Sequence, residues 1–206
     1  MSAGTIIFLN GTSSAGKTSL AWALQEKLEA PFQHIALDQF RDGMPPRFRG
    51  LNAPVGTPGE RGLNVVPVEN YDGDIVTEVR FGTEGRRMLF GMRRAMASFV
   101  EAGNNIIIDD IILEPAFLQD YVDVMAHLDV YFIGVRCPIE VIEERESHRL
   151  GRFPGTAESH FHVCHAHGHY DLEVDTSVHS PTECADQVIA RLTSGPPAAF
   201  EELRAS

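Results

Sequence analysis

The chain has 206 residues, 43% of them apolar, and a formal net charge of −12. That length suits one domain with a full buried core. So acidic a chain repels phosphate backbones and anionic lipid, which excludes general nucleic-acid and membrane-surface binding. Its three cysteines, Cys137, Cys164 and Cys184, are odd in number and widely spaced. They form no disulfide framework and fit a reducing cytoplasm. No basic leader precedes the short apolar run Ile6–Leu9, and no stretch approaches the roughly 18 apolar residues of a membrane span.

Thr5–Asn10, "TIIFLN", reads as a buried parallel strand running into Gly-Ser turn material. Leu20, Leu24 and Leu28 then recur at helical spacing over 17–29, and Pro31 stops that helix. "QHIALD" (33–38) reads as a second strand. Residues 39–82 carry Pro45, Pro46, Pro54, Pro58, Pro67 and many glycines, which predicts mostly loop with one short hairpin. So long a loop inside a compact domain implies a binding loop or lid.

From Thr83 to Ala102 the side chains Met88, Leu89, Met92, Met96, Phe99 and Val100 predict one apolar helix face, closed by Gly103. "NIIIDD" (105–110) is a third strand, 114–127 a helix and "DVYFIGV" (129–135) a fourth strand. Ile139–Leu150 is a charged helix, "YDLEV" (170–174) a fifth strand and 181–193 a closing helix. The segment after it, 195–206, reads as a loosely held tail. Strands alternating with helices predict an α/β fold, a five-stranded parallel sheet with helices on both faces. A single domain over 1–194 is expected, with 39–82 as acceptor region and a lid near 145–165.

Gly11-Thr12-Ser13-Ser14-Ala15-Gly16-Lys17-Thr18 satisfies G-x-x-x-x-G-K-[ST] between a strand and a helix. Its small residues let successive N–H groups curl into an anion nest at a helix N-terminus. Lys17 reaches the β- and γ-phosphates, and the Thr18 hydroxyl ligates Mg²⁺. A nucleoside triphosphate is the expected ligand. Switch GTPases need D-x-x-G and N-K-x-D, and neither occurs. A small chain with a lid points to a kinase acting on a small molecule.

Asp38 ends the second predicted strand and Asp109-Asp110 end the third. In an open α/β sheet ligands lie beyond those strand ends. A carboxylate there can deprotonate an acceptor hydroxyl or hold Mg²⁺. One of Asp109 and Asp110 is expected to be functional and the other structural, and the sequence does not choose between them. Arg145, Arg149 and Arg152 fall at i, i+4 and i+7, where three guanidiniums can face a triphosphate.

These segments resemble the chloramphenicol 3-O-phosphotransferases, P-loop kinases related in fold to shikimate and adenylate kinases. The similarity runs from about Ile6 to Arg191, through "LNGTSSAGKTS", "IALDQF", "MP" at 44–45, "AGNNIIIDD", "DVYFIGVRC", "RESHRLGR" and "HGHYDLEVDTS". It implies ATP as donor, a small-molecule hydroxyl as acceptor and Asp38 as the base. It places Arg145, Arg149 and Arg152 in the lid and Asp175-Thr176 near the adenine pocket. Arg41 and Met44 are expected on the acceptor side. It also raises antibiotic resistance as a role.

The stretch after Met44-Pro45 is about a dozen residues longer than the family pattern. It carries Arg41, Arg47, Arg49 and Arg61, so an anionic acceptor is a second possibility; acidic Asp42, Glu60 and Glu69 oppose it. An ATP-binding regulator without phosphoryl transfer is a third. The oligomeric state is left open.

"HFHVCHAHGHYD" gathers five histidines around Cys164. Structural zinc sites use well-spaced ligand pairs, so a His-rich surface, or one acceptor-pocket histidine, is the simpler account, with His165 the member that matches the family. Arg86, Arg87, Arg93 and Arg94 read as a solvated basic face.

Overall fold

The structure, a computed structural model, describes residues 2–70, 73–148, 155–161 and 163–205. Five parallel strands form its main sheet: β1 (Thr5–Asn10), β2 (Phe32–Ala36), β6 (Asn105–Asp110), β7 (Asp129–Arg136) and β8 (Leu172–Asp175). Their spatial order is β2-β6-β1-β7-β8. The two central runs, "IIFL" and "III", are apolar on both sides because both sheet faces are covered.

Alternation divides the faces. Ile6 and Phe8 point to one core with Ile106, Ile108, Val130 and Phe132. Helices α4 (Thr83–Glu101), α5 (Pro115–Met125) and α9 (Ala199–Ala205) cover it. Ile7 and Leu9 point to the other core with Ile107, Ile133 and Val135. There α1 (Lys17–Lys27), α6 (Ile139–Ser147), α7 (Thr156–Phe161) and α8 (Pro181–Ser194) close the layer.

The acceptor region is more ordered than its proline content predicts. After α2 (Leu37–Gly43) and a 3-10 turn at Pro46–Phe48 come β3 (Arg49–Leu51), α3 (Pro58–Arg61), β4 (Leu63–Glu69) and β5 (Ile75–Phe81). The three strands form a second sheet, β3 parallel to β4 and β4 antiparallel to β5. Leu63 and Phe81 anchor it in the α4–α5 core.

Four other expectations are corrected. Asp38 lies in the first turn of α2, because the chain turns helical one residue after Ala36. Phe99 is 39% exposed and off the buried face of α4. Arg93 is 3% exposed, lying over the rings of Phe117 and Tyr121 and bonded to Asp120 at 2.8 Å. Its charge is matched locally, so burial is tolerated. The tail is docked: Phe200 of α9 enters the core beside Phe8 and Phe132. Asp171 Oδ1 accepts from the N–H of Ala198 and from Arg191, fixing the turn before α9. Among the described residues, no helix is long and apolar enough to cross a membrane.

Candidate active site

At the carboxyl end of β1 the chain curls through Gly11–Gly16 and enters α1 at Lys17. Gly16 has φ +91, a left-handed conformation that favours glycine. The curl turns Lys17 back on itself, its Nζ donating to the carbonyls of Gly11 (2.8 Å) and Thr12 (2.9 Å). Burial pushes the Lys17 ammonium below its usual range, against the pull of Asp109, the nearest opposing charge. Ser13 Oγ is buried with no hydrogen-bond partner among the described residues. A cation resting on carbonyls and an idle buried hydroxyl fit a loop built to meet an anion. Thr12 Oγ1 donates to the carbonyl of Ala157, tying the loop to α7.

The two strand-end aspartates separate. Asp109 has the parity of Ile107 and meets α1: its Oδ2 accepts from Thr18 Oγ1 at 2.7 Å, and Lys17 Nζ stands 3.9 Å from Oδ1. Burial pushes its carboxyl up, but hydrogen bonds from His34 and Thr18 and the charge of Lys17 outweigh this and hold it below the usual range. Thr18 and Asp109 thus pair a hydroxyl with an ionised carboxylate, the hard oxygens that Mg²⁺ takes. Asp110 has the parity of Ile108 and points into the opposite face. There Tyr121 Oη donates to it at 2.6 Å and the Ile111 N–H at 2.7 Å, and burial raises its carboxyl.

Beyond β8, Thr176 closes over the loop, its Oγ1 donating to the Ala15 carbonyl at 2.7 Å. Arg145 grips that turn through Thr176 O (2.7 Å) and Oγ1 (3.1 Å). Asp175 turns away to accept from Ser177. Arg149 and Arg152 lie outside the described residues.

On the other flank, Asp38 is about half exposed and Arg41 donates to it at 2.8 Å. Asp38 is near enough for its charge to act on Lys17. Beside it opens a groove of about 480 Å³, walled by Phe40, Met44, Pro45, Phe48 and Met88 with Gln39 and Glu84 at its edge. Arg41 also bonds Asp42, as does Arg49, and Arg47 lies against the Phe48 ring. Arg41 and Arg49 are therefore offset by acidic neighbours.

Two contributors were not anticipated. His34 of β2 reaches Asp109 at 3.4 Å; it shares the parity of Ile107 in the register, which a strand assignment over "QHIALD" could have revealed. Asn10, the last residue before the loop, is buried and bonds to Cys164, Tyr170 and Ile112. His165 and His167 both pack on Tyr170, and His167 also stacks on Phe132 and lies 3.3 Å from Asn10 Nδ2; His169 faces Glu202, His160 is buried, and His162 lies outside the described residues. Among the described residues no three His, Cys, Asp or Glu side chains gather as a metal site.

A family model described as "Chloramphenicol phosphotransferase-like protein" matches residues 4–193. The Mycobacterium tuberculosis protein provisionally named O-phosphotransferase Rv2636 is 32% identical over 213 residues, spanning 99% of this chain and 89% of its own length. The M. tuberculosis APS kinase, solved in complex with AMPPNP and APS, superposes with a TM-score of 0.63 at 17% identity, over 94% of this chain and 100% of the other. An unliganded sugar kinase from Janibacter sp. gives 0.63 at 18% identity, over 92% and 94%. At such identities these two speak for the P-loop kinase fold alone. The family match covers both flanks of the site, from the phosphate loop to the end of α8, and the chain belongs to the chloramphenicol phosphotransferase-like family of kinase-type phosphotransferases.

Proposed function

We propose that this protein transfers the γ-phosphate of ATP to a hydroxyl of a small, largely apolar molecule bound beside α2. The observation that carries the reading is the convergence of Lys17, Thr18 and Asp109 at the loop, with Asp38 near enough to act on Lys17 and the groove walled by the residues that follow Asp38 in α2. Lys17 exchanges its two carbonyl partners for phosphate oxygens. Thr18 and Asp109 are the residues that would hold Mg²⁺, whose chemistry is to offset charge on the phosphates. Asp110, turned into the α5 core, takes a packing role. Arg145 holds the Asp175-Thr176 turn against the loop, which suits the nucleoside end of the donor, and Arg149 and Arg152 follow it as lid cations.

Asp38 takes the proton of the acceptor hydroxyl once the acceptor displaces Arg41. Met44 and its apolar neighbours hold the acceptor body. Because Arg41 and Arg49 are offset by Asp38 and Asp42, this site favours a neutral acceptor over an anionic one. Three free, buried thiols fit a reducing compartment, and we place the reaction in the cytoplasm.

The test is ADP release from MgATP with chloramphenicol, neutral polyols, sugar acids and sugar phosphates as acceptors. Acceptor-dependent release is expected from a neutral member. Release only with anionic members would refute the acceptor assignment, and MgATP binding with silence throughout would refute phosphoryl transfer. In an active pair, Asp38→Asn is expected to lower kcat roughly 10²–10⁴-fold with ATP affinity retained; an unchanged kcat removes Asp38 as the base.

A further inference from the structure

Phosphoryl transfer as proposed gives Asp109 a role and leaves its partner on β2, His34, without one. Asp109 Oδ2 accepts from Thr18 Oγ1 at 2.7 Å and lies 3.4 Å from His34 Nε2. Asp109 is held ionised, and an ionised carboxylate can only accept, so His34 donates through Nε2. Oδ1 has no hydrogen bond among the described residues and stands 3.9 Å from Lys17 Nζ. Two donors hold one oxygen of the carboxylate, and the other is left turned to the lysine.

Register explains the meeting. β2 runs parallel to β6, with His34 opposite Ile107 and Ala36 opposite Asp109. Alternation therefore sends His34 and Asp109 to the same sheet face, one step apart along the strands. The imidazole is 14% exposed, although β2 is an edge strand. The three partners of Asp109 differ in what else they must do. Lys17 rests on the carbonyls of Gly11 and Thr12 and, on the proposed reading, exchanges them for phosphate. Thr18 is the residue that would share the metal with Asp109. His34 has no other hydrogen bond among the described residues, and pairing within the main sheet fixes its backbone. It is the partner that nucleotide binding does not have to move.

From this geometry we infer that His34 is a positioning residue: its Nε2–H holds Asp109 Oδ2, keeps Oδ1 turned to the phosphate loop, and so sets how tightly the site takes a divalent cation. A carboxylate with one oxygen held presents the other in one orientation, which lowers the ordering cost of ligation. Without His34, only Thr18 holds Oδ2, and the Thr18 oxygen is itself wanted by the metal. The inference rests on the reading of Thr18 and Asp109 as the residues that would hold Mg²⁺.

The test uses Mn²⁺ as the probe, titrated into the whole protein kept in excess over ADP and followed by the EPR signal of the free ion. ADP affinity in excess EDTA is measured beside it by calorimetry. His34→Ala and His34→Phe are each expected to weaken Mn²⁺ binding about tenfold, the lower end of the range for such partners because the 3.4 Å bond is long. Metal-free ADP affinity is expected to stay within about twofold. His34→Gln, which places an amide N–H near the position of Nε2, is expected to recover most of the loss. Unchanged Mn²⁺ affinity in the Ala and Phe variants, or equal losses in Ala and Gln, overturns the inference. A matching loss of metal-free ADP affinity also overturns it, because His34 would then be structural only. Asp109→Asn separates this inference from the reading beneath it. Weaker Mn²⁺ binding in Asp109→Asn beside an unchanged His34→Ala refutes the inference alone. An unchanged Asp109→Asn, or a wild type that takes no Mn²⁺ with ADP, removes the metal assignment and the inference with it.

Discussion

Phe200→Ala is the sharpest test of whether the docked tail belongs to the fold under the site. Phe200 is 3% exposed, and its ring meets Phe132 at 5.3 Å and Phe8 at 6.1 Å, both edge-on. Truncating a buried phenylalanine costs about 3–5 kcal/mol. Here α9 is short and close to the chain end, so it can peel away and replace a closed cavity with solvent. That favours the lower bound, while two edge-to-face pairs of about 0.5–1.5 kcal/mol each hold it near 3 kcal/mol. With a urea m-value of about 2–3 kcal/mol/M for a chain of this size, the midpoint should fall by about 1–1.5 M at unchanged m. Equilibrium urea unfolding followed by tryptophan fluorescence and circular dichroism measures it. A fall below about 0.3 M would mean that α9 is a passive attachment, and the packing argument would be wrong.

The adjacent aspartates should respond to pH with opposite signs. Asp109 is held below its ordinary value, so its stabilisation is full above about pH 4 and is lost as pH falls through the lower folded value; the wild-type advantage over Asp109→Asn grows with pH across the acid range. Asp110 is held above its ordinary value, so its contribution is best in acid and is lost as pH rises through the raised value; the wild-type advantage over Asp110→Asn shrinks with pH. Thermal midpoints of the three proteins from pH 3 to 7 decide this, and parallel slopes would refute the division of roles. Gly134→Ala should displace Tyr170, costing about 1–3 kcal/mol by overpacking and lowering the urea midpoint. An unchanged midpoint would mean that the ring can move off the glycine without loss.

What the sequence made legible follows from how strongly each segment is constrained. The phosphate loop needs small residues, a lysine and a hydroxyl at fixed spacing, and the strand before it is apolar throughout, so both are evident. The same saturation hides the faces: with Ile106, Ile107 and Ile108 all apolar, no period-2 pattern shows that Asp109 and Asp110 point apart. Only partners from α1 and α5, distant in sequence, reveal it. In the acceptor region Pro67 lies inside β4, and its neighbours alternate weakly, because one sheet face is solvated and the strands are short. Short α2 lacks an apolar stripe, so Asp38 read as a strand end. At the C-terminus Pro196-Pro197 suggested a tail, although "FEELRA" has good helix formers around one aromatic that needed burial.

Sheet parity gives the site its logic. Residues facing α1 at the rim, Asp109 with His34 and Thr18 beside it, meet the phosphate loop from the donor side. Residues of the other parity, Asn10, Asp110, Gly134 and Arg136, face the α4–α5 side. One residue's shift in register would exchange the two sets, so the apolar strand cores that fix register also keep Asp109 at the phosphate loop and Asp110 in the α5 core. Asn10 is where the two meet. Its backbone leads into the phosphate loop, while its side chain bonds Tyr170, the Cys164 carbonyl and the Ile112 N–H. Asn10→Asp would leave the backbone path intact but set a carboxylate oxygen against the Cys164 carbonyl, losing that bond and reversing the one to Tyr170. On this reasoning it should lower the urea midpoint, because a buried carboxylate is left facing a carbonyl, and an unchanged midpoint would refute the hub role of the amide.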